Sequence, residues 1–420
     1  MDTAKIAKQI RVSEKDLNSV LKYIEDYWPK LVRTHKTDVR SLIGLPNPYI
    51  VPADGDVFQE QYYWDSYPIV RALINHPKYS KLAIGMVDNL LYLVKRFGII
   101  PNASRYYFLS RSQPPVLSSM VFLVYEKTKD RYSRPEDRDS LILSRNKKWF
   151  AAAIKLVEEE YQDVWMGRVH LRNFRHVHRG LSRYYDLNAL NVLAEAESGW
   201  DMTARFMGKC LDILPIDLNC LLYQYEVDLA RAYEILGNAK KRKRYEELES
   251  ERVKEINNLM WDKKAGYFFD YDWISRKISH LITVAGVFPL SVGLATRAQA
   301  EQVVRVVEKT LQKNYGVVQS VRFLDNMQWD YPNGWAPMQL RVVEGLFNYG
   351  YDHLAKRLIC KWLFCNIKVF GETGFLWEKY EVIHGRVGVP DRYPTQPGFG
   401  WTNAIFLIFC EMLSGTPETA

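Results

Sequence analysis

Residues 81–97 read Lys81-Leu82-Ala83-Ile84-Gly85-Met86-Val87-Asp88-Asn89-Leu90-Leu91-Tyr92-Leu93-Val94-Lys95-Arg96-Phe97. Leu82, Met86, Leu90, Leu93 and Val94 recur at steps of three and four, which predicts an amphipathic helix, and Gly98 follows as its C-cap. The same period returns along the chain. Leu218, Leu221, Leu222, Tyr225, Leu229 and Ala232 define a second helix, with Asp217 as its candidate cap and Gly237 at its end. Further helices are expected over 13–28, 148–161, 244–260, 296–311, 337–348, 353–366 and 402–413, and 404–410 has the apolar content of a buried segment. Strand alternation is scarce, and 266–273 is the candidate hairpin. Helices separated by short stretches rich in Gly, Pro, Asn and aromatics predict paired helices around a central axis, with the loops gathered at one end. No low-complexity linker divides the chain. One domain over 41–420, with 1–40 as a helical N-terminal extension, is the expected organisation.

Composition narrows the function. Apolar residues make up 47% of the 420 and charged residues 25%, enough for one large core. Aromatics reach 14% and cluster beside acids, as in Tyr62-Tyr63-Trp64-Asp65 and Gln328-Trp329-Asp330. Most aromatics fill cores; beside carboxylates they also suit the apolar face and the hydroxyls of a sugar. The net charge of +8 comes partly from Lys240, Lys241, Arg242, Lys243 and Arg244, read as a solvated helix start. Arg168, Arg172, Arg175, Arg179 and Arg183 would line one helix face at their spacing. No nucleic-acid motif accompanies either run, so no nucleic-acid partner is expected. No apolar run approaches the roughly 20 residues of a membrane span. The five cysteines show no paired framework, and Met1-Asp2-Thr3-Ala4-Lys5 opens no apolar leader; reduced thiols and a cytoplasmic location are the expectation. His170, His176 and His178 have no Cys or acidic partner at a metal-ligand spacing, and Ser198 has no supporting His arrangement. A monomer without metal or cofactor is expected.

Seven segments carry the chemistry: Phe58 to Tyr67; Ile100-Pro101-Asn102 with Arg111 to Pro115; Glu197 to Asp201; Pro215 to Asn219; Gln328 to Pro337; Trp377-Glu378-Lys379-Tyr380; and Gly398 to Asn403. They are polar and aromatic, and several stand at predicted helix starts. Hydrolysis of a glycoside needs two carboxyl groups, one holding its proton at neutral pH, and burial against aromatics raises a pKa to that end. Asp201 after Trp200 and Glu378 after Trp377 suit those roles. A single Asp beside a Trp is more often a helix cap; the recurrence of such segments in one chain tips the balance.

The segment Phe58 to Tyr67 resembles most of the first trehalase-family signature, and Gln328 to Pro337 nearly all of the second. The remaining segments follow in the family's order, from about residue 50 to about 410. The resemblance implies an all-α fold, an (α/α)6 toroidal barrel, which hydrolyses a small disaccharide, α,α-trehalose, to two glucose molecules with inversion and without cofactor. It implies Asp201 as general acid and Glu378 as general base, roughly 6.5–9.5 Å apart so that a water fits between. Phe58, Tyr62, Trp64, Asp65, Asn102, Arg111, Gln113, Gly199, Trp329 and Trp335 fall on or near its glucose pocket, and structural roles also fit Tyr62 and Trp335.

The sequence departs from the family pattern in three places. Val57 stands where an arginine would contact the leaving sugar. Asp186-Leu187-Asn188 stands where an Arg-Pro-Glu segment is expected. The glycine-rich lid is replaced by 384–393, with Arg392 in place of a glutamate. All three touch the leaving-group side. Two aglycones therefore stay open: a second glucose, or another, anionic group as in glucosylglycerate, favoured by Arg392, Arg386 and the arginines of 168–183. A non-catalytic sugar-binding protein is the third reading, and the retention of both acids argues against it.

Overall fold

The periodic segments become helices that close on themselves. The structure, a computed structural model, describes residues 1–130, 140–168, 174–390 and 393–415. In chain order the helices are α1 (Thr3–Ile10), α2 (Glu14–Leu31), α3 (Ser66–Leu73), α4 (Ser80–Phe97), α5 (Leu117–Asp130), α6 (Ser140–Glu160), α7 (Asn191–Glu197), α8 (Ile216–Ile235), α9 (Ala239–Leu259), α10 (Phe288–Ser291), α11 (Arg297–Val306), α12 (Ala336–Asn348), α13 (Asp352–Thr373) and α14 (Gly400–Ser414). Helices α3, α5, α8, α10, α12 and α14 touch in that sequence, and α14 packs back on α3. Behind this ring, α4, α6, α9 and α13 pack on α3, α5, α8 and α12, while α2 packs on both α13 and α14. The architecture is an (α/α)6 barrel. No helix among the described residues is long and apolar enough to cross a membrane.

Local chemistry sets the helix ends. Ser13 Oγ accepts the Asp16 N–H at 3.0 Å to open α2, and Thr296 with Gln299 forms a reciprocal capping box at α11. Gly98, at φ 73°, ends α4 with its N–H on the Val94 carbonyl, a conformation that costs a side-chain-bearing residue more. The rows of Leu90, Leu93 and Val94 on α4 and of Leu218, Leu222 and Leu229 on α8 are buried in one continuous core.

Several expectations need correction. Helix α8 starts at Ile216 with Pro215 as its N-cap, and Asp217 lies in its first turn. The Asp217 carboxylate takes two guanidinium bonds from Arg205, at 2.9 and 2.6 Å, which a surface cap would not meet. The expected hairpin at 266–273 divides between two ribbons: Tyr267–Phe268 pairs with Trp261–Asp262, and Tyr271–Asp272 with Ile213–Leu214 and Lys277–Ile278. Among the described residues, Arg168, Arg175, Arg179 and Arg183 do not share a helix face. His176–His178 and Leu181–Ser182 make an antiparallel ribbon there, and His170 and Arg172 lie outside the described residues. Arg175 is fully buried on Glu197, Arg179 pairs with Glu255, and Arg183 donates to the carbonyls of Phe174 and Leu211. Fixed carboxylate and carbonyl acceptors override a spacing that suggested solvated helix.

Arg205 is the most consequential buried cation. It joins Asp217 to Asp270 and lies 4.5 Å from the Trp200 ring centroid, directly beneath the segment that carries Asp201. Its removal would strand two buried carboxylates. We expect Arg205→Leu to destabilise the fold by about 3–5 kcal/mol in urea unfolding. Arg357→Ala, which breaks an exposed pair with Glu308, should leave the midpoint unchanged.

Candidate active site

The inner helices present their N-terminal ends to one cavity. Asp65 immediately precedes α3, Trp335 precedes α12, Phe399 precedes α14, and the turn carrying Gln113 leads into α5. The amide-rich, partly positive helix ends favour carboxylates placed there. The cavity, of about 250 Å³, is lined by Phe58, Tyr62, Trp64, Asp65, Asn102, Arg111, Gln113, Gly199, Asp201, Trp329, Trp335 and Glu378, together with Pro52, Phe108, Ala196, Tyr393, Phe399 and Trp401.

Asp201 follows α7 on a turn pinned from both sides. Gln328 Nε2 donates to the Asp201 carbonyl at 2.7 Å, and the Trp329 N–H donates to that of Met202 at 3.1 Å. Asp330 accepts from Ala204 N, Thr203 Oγ1 and Ser320 Oγ, and Glu195 Oε1 accepts from Thr203 N. Segments 197–201 and 328–337, far apart in sequence, thus form one rigid unit. Upstream, Glu197 accepts the backbone N–H groups of Ser112 and Tyr185, each at 2.7 Å, as well as Arg175. Gly199 sits at φ 75°, and a Cβ there would come within 2.7 Å of Trp64 Cζ2, so both conformation and space call for glycine.

Glu378 enters from a different direction. The strand Lys379–Glu381 pairs antiparallel with Asn333–Trp335, with Lys379 opposite Trp335. Glu378 is buried, with one donor on each carboxylate oxygen: Lys379 Nζ at 2.9 Å and Tyr393 Oη at 2.7 Å. Trp401 Nε1 holds the Glu378 carbonyl at 3.0 Å.

The aromatic wall is continuous. Trp329 stacks on Trp335 at 3.8 Å and 3°, and Trp64, Trp200 and Trp401 pack around that pair. Trp335 is buried and gives its N–H to the Gln328 carbonyl. Phe58 meets Tyr62, Tyr393 and Phe399 edge-on. The polar groups sit between these rings. Gln113 Oε1 accepts the Trp64 N–H, and Asn102 Nδ2 reaches the Ser112 carbonyl at 3.4 Å. Arg111 Nη1 lies 3.2 Å from Asp186, while its buried Nε has no hydrogen-bond partner among the described residues. A buried donor left open on a cavity wall is a place for a ligand oxygen. Burial raises the Asp65 carboxyl to about 8, and the charges of Glu378 and Asp201 add to the rise.

The three departures find different places. Val57 is exposed and is not among the cavity-lining residues. Asp186, in the segment that replaces Arg-Pro-Glu, anchors Arg111, Ser110 and Asn188. Arg392 lies outside the described residues, and its neighbour Tyr393 reaches Glu378. Among the described residues, no group of three or more His, Cys, Asp or Glu is placed to hold a metal ion.

A trehalase family profile matches residues 2–192 and 187–414. The chain belongs to the trehalase family. The periplasmic trehalase of Xanthomonas oryzae pv. oryzae is 35% identical over 424 residues, covering 94% of this chain and 73% of that protein. The periplasmic trehalase of Citrobacter koseri is 33% identical over 428 residues, covering 94% and 74%. The solved neutral trehalase of Saccharomyces cerevisiae superimposes with a TM-score of 0.73 at 30% identity, covering 86% of this chain and 73% of that one. Like other members of the trehalase family, the chain is a glycoside hydrolase.

These relatives correct the expected cytoplasmic location, because the bacterial trehalases that the chain resembles carry periplasmic names. The thiols were a poor guide: all five cysteines are free, and Cys210, Cys220, Cys365 and Cys410 are buried in the core. Sequence reasoning also passed over Tyr393, Phe399 and Trp401 as lining residues. The last two stand in the segment Gly398 to Asn403, whose aromatic content was the available signal.

Two variants test the cavity. Between about pH 4 and 8 the folded chain holds the Asp65 proton that the unfolded chain releases. That difference costs stability progressively as pH rises and is complete above about 8. Asp65→Asn removes the cost, so its melting temperature should gain on that of the unmodified protein from about pH 4 to 8 and no further. Gly199→Ala should cost about 1–3 kcal/mol of stability through backbone strain and displace Trp64, seen as a change in tryptophan fluorescence.

Proposed function

We propose that the chain hydrolyses α,α-trehalose to two glucose molecules with inversion at the attacked carbon, Asp201 acting as general acid and Glu378 as general base. The observation that carries this reading is the meeting of both carboxyls in one cavity walled by tryptophan and phenylalanine rings. Asp201 gives its proton to the glycosidic oxygen as the bond from that oxygen to the anomeric carbon breaks. A water on the opposite face bonds to the carbon and passes a proton to Glu378. Lys379 and Tyr393 fix the Glu378 carboxylate for that transfer, and the open Arg111 Nε takes a sugar hydroxyl oxygen. One product is β-glucose and the other leaves as α-glucose. A single chain supplies this whole lining, so the reading requires no partner subunit.

A second glucose fits better than an anionic aglycone. Arg175, Arg179 and Arg183 are committed to Glu197, Glu255 and backbone carbonyls, none of the three lines the cavity, Arg386 does not line it either, and Arg392 lies outside the described residues. The test is a panel of trehalose, kojibiose, maltose and glucosylglycerate, with product anomers followed by NMR. Trehalose should be the preferred substrate, and α- and β-glucose should appear in equal amounts before mutarotation. Asp201→Asn and Glu378→Gln should each lower kcat by about 10²–10⁴-fold. Retention of configuration would overturn the mechanism, and full activity in either variant would overturn the residue assignment.

A further inference from the structure

Behind the cavity wall, three polar side chains meet in a closed triangle inside the barrel. Tyr63 comes from the turn before α3, Tyr225 from α8 and Glu160 from the last turn of α6, and all three are buried. Tyr63 Oη lies 2.8 Å from Glu160 Oε1, Tyr225 Oη lies 2.7 Å from Glu160 Oε2, and the two phenol oxygens are 2.8 Å apart. Each edge has hydrogen-bond length, so the triangle needs three protons. The two phenols supply two.

The remaining neighbours cannot supply the third. The Val116 N–H points to Tyr63 Oη at 3.1 Å, and the Leu117 N–H to Tyr63 and Tyr225 Oη at 3.1 and 2.9 Å. With the shared Leu117 N–H counted at its nearer partner, Tyr225, each phenol accepts one amide, keeps one acceptor site for the ring, and gains no proton for the edge between them. Were Glu160 ionised, both phenols would donate to it, and their oxygens would face each other at 2.8 Å with no proton between. Among the described residues no cation offsets a charge there. The groups acting on Glu160 are Tyr225, Tyr63 and the Trp165 indole. On the neighbouring helices, Glu226 is bound to Arg252 and Tyr161, Asp228 to Ser118, and Asp88 to Trp149.

We propose that Glu160 is a neutral carboxylic acid in the working protein, whose proton closes a three-membered hydrogen-bond ring that positions two walls of the catalytic cavity. The proton on Glu160 goes to Tyr225, that of Tyr225 to Tyr63, and that of Tyr63 back to Glu160, or the ring runs in the opposite sense. Burial raises the Glu160 carboxyl to about 7, in keeping with the proton count. The connection to the cavity is direct. Tyr63 is flanked by the lining residues Tyr62 and Trp64, and Val116 and Leu117 follow Gln113-Pro114-Pro115 into α5. Glu160 thus acts as a positioning residue. Its functional consequence rests on the assignment of the cavity as catalytic, whereas its protonation state does not.

Glu160→Gln tests both parts, because an amide keeps one donor and one acceptor in the same shape and cannot ionise. Infrared spectra at pH 6 should show the C=O stretch of a neutral acid that weakens in Glu160→Gln. In the folded protein the proton persists above the unfolded value of about 4.3, so the native Glu160 costs stability as pH rises to about 7. The melting temperature of the variant should therefore gain on that of the unmodified protein across that interval and level off above it. Its kcat/KM should match that of the unmodified protein at pH 6 and exceed it severalfold at pH 8, where the acid form has fallen by about tenfold. Glu160→Ala should lower kcat/KM at every pH, and Gln at the same position should restore it. An unchanged infrared band together with a pH-independent difference in melting temperature would overturn the neutral acid. If those two measurements hold and kcat/KM of Glu160→Gln tracks the unmodified protein at all pH values, the positioning role is overturned while the protonation state stands. Should the Ala variant fail to fold, the Gln variant alone decides.

Discussion

Carboxyl groups from Asp65, Asp201 and Glu378 meet where little water can screen them, and their mutual repulsion sets the terms for what surrounds them. Such a cluster persists only if part of its charge is offset or withheld. Glu378 has an ammonium and a phenol, one on each oxygen. Asp65 retains its proton because burial and its neighbours disfavour the charge. The partly positive ends of the inner helices converge on the same spot. The barrel is well suited to this arrangement because a ring of inner helices brings several N-termini to one end, which no single helix pair could do.

A second set of carboxylates builds the walls that hold the first. Glu195, Glu197, Asp217, Asp270 and Asp330 are buried and bound to backbone N–H groups or guanidinium groups. Each closes a loop that the hydrophobic core cannot order, because loops lack an apolar stripe. The core supplies the helices; these charged ties supply the registration between segments 197–201 and 328–337.

The barrel's helices were legible because burial on one face leaves a period of three and four in α4, α8 and α12. The cavity was legible through its aromatic neighbours: Trp64, Trp329 and Trp335 are large, rare and adjacent to acids. Arg175 and Asp217 were misread for a shared reason. Their partners, Glu197 and Arg205, are distant by a turn or more of irregular chain, and local spacing carries no trace of a buried ion pair. Short helices such as α7 and α10 escaped because fewer than two or three turns give the apolar period too little room to repeat. Tyr393 escaped because its role depends on where a loop folds, and loop composition says little about that.

The closure of the ring has a consequence for the order in which the molecule is made. α14 seals the barrel against α3, and Gln9 Nε2 meets the Leu413 carbonyl at 3.3 Å, across a separation of 404 residues. Phe399 and Trp401, which finish the cavity, belong to the same late stretch. During synthesis the earlier hairpins can form while the chain is still emerging, yet the edges of α3 and α13 stay uncovered until α14 arrives. The nascent protein therefore passes through a stage with an open, apolar seam and no finished site, and α14 serves at once as the stave that closes the barrel and as a wall of its cavity.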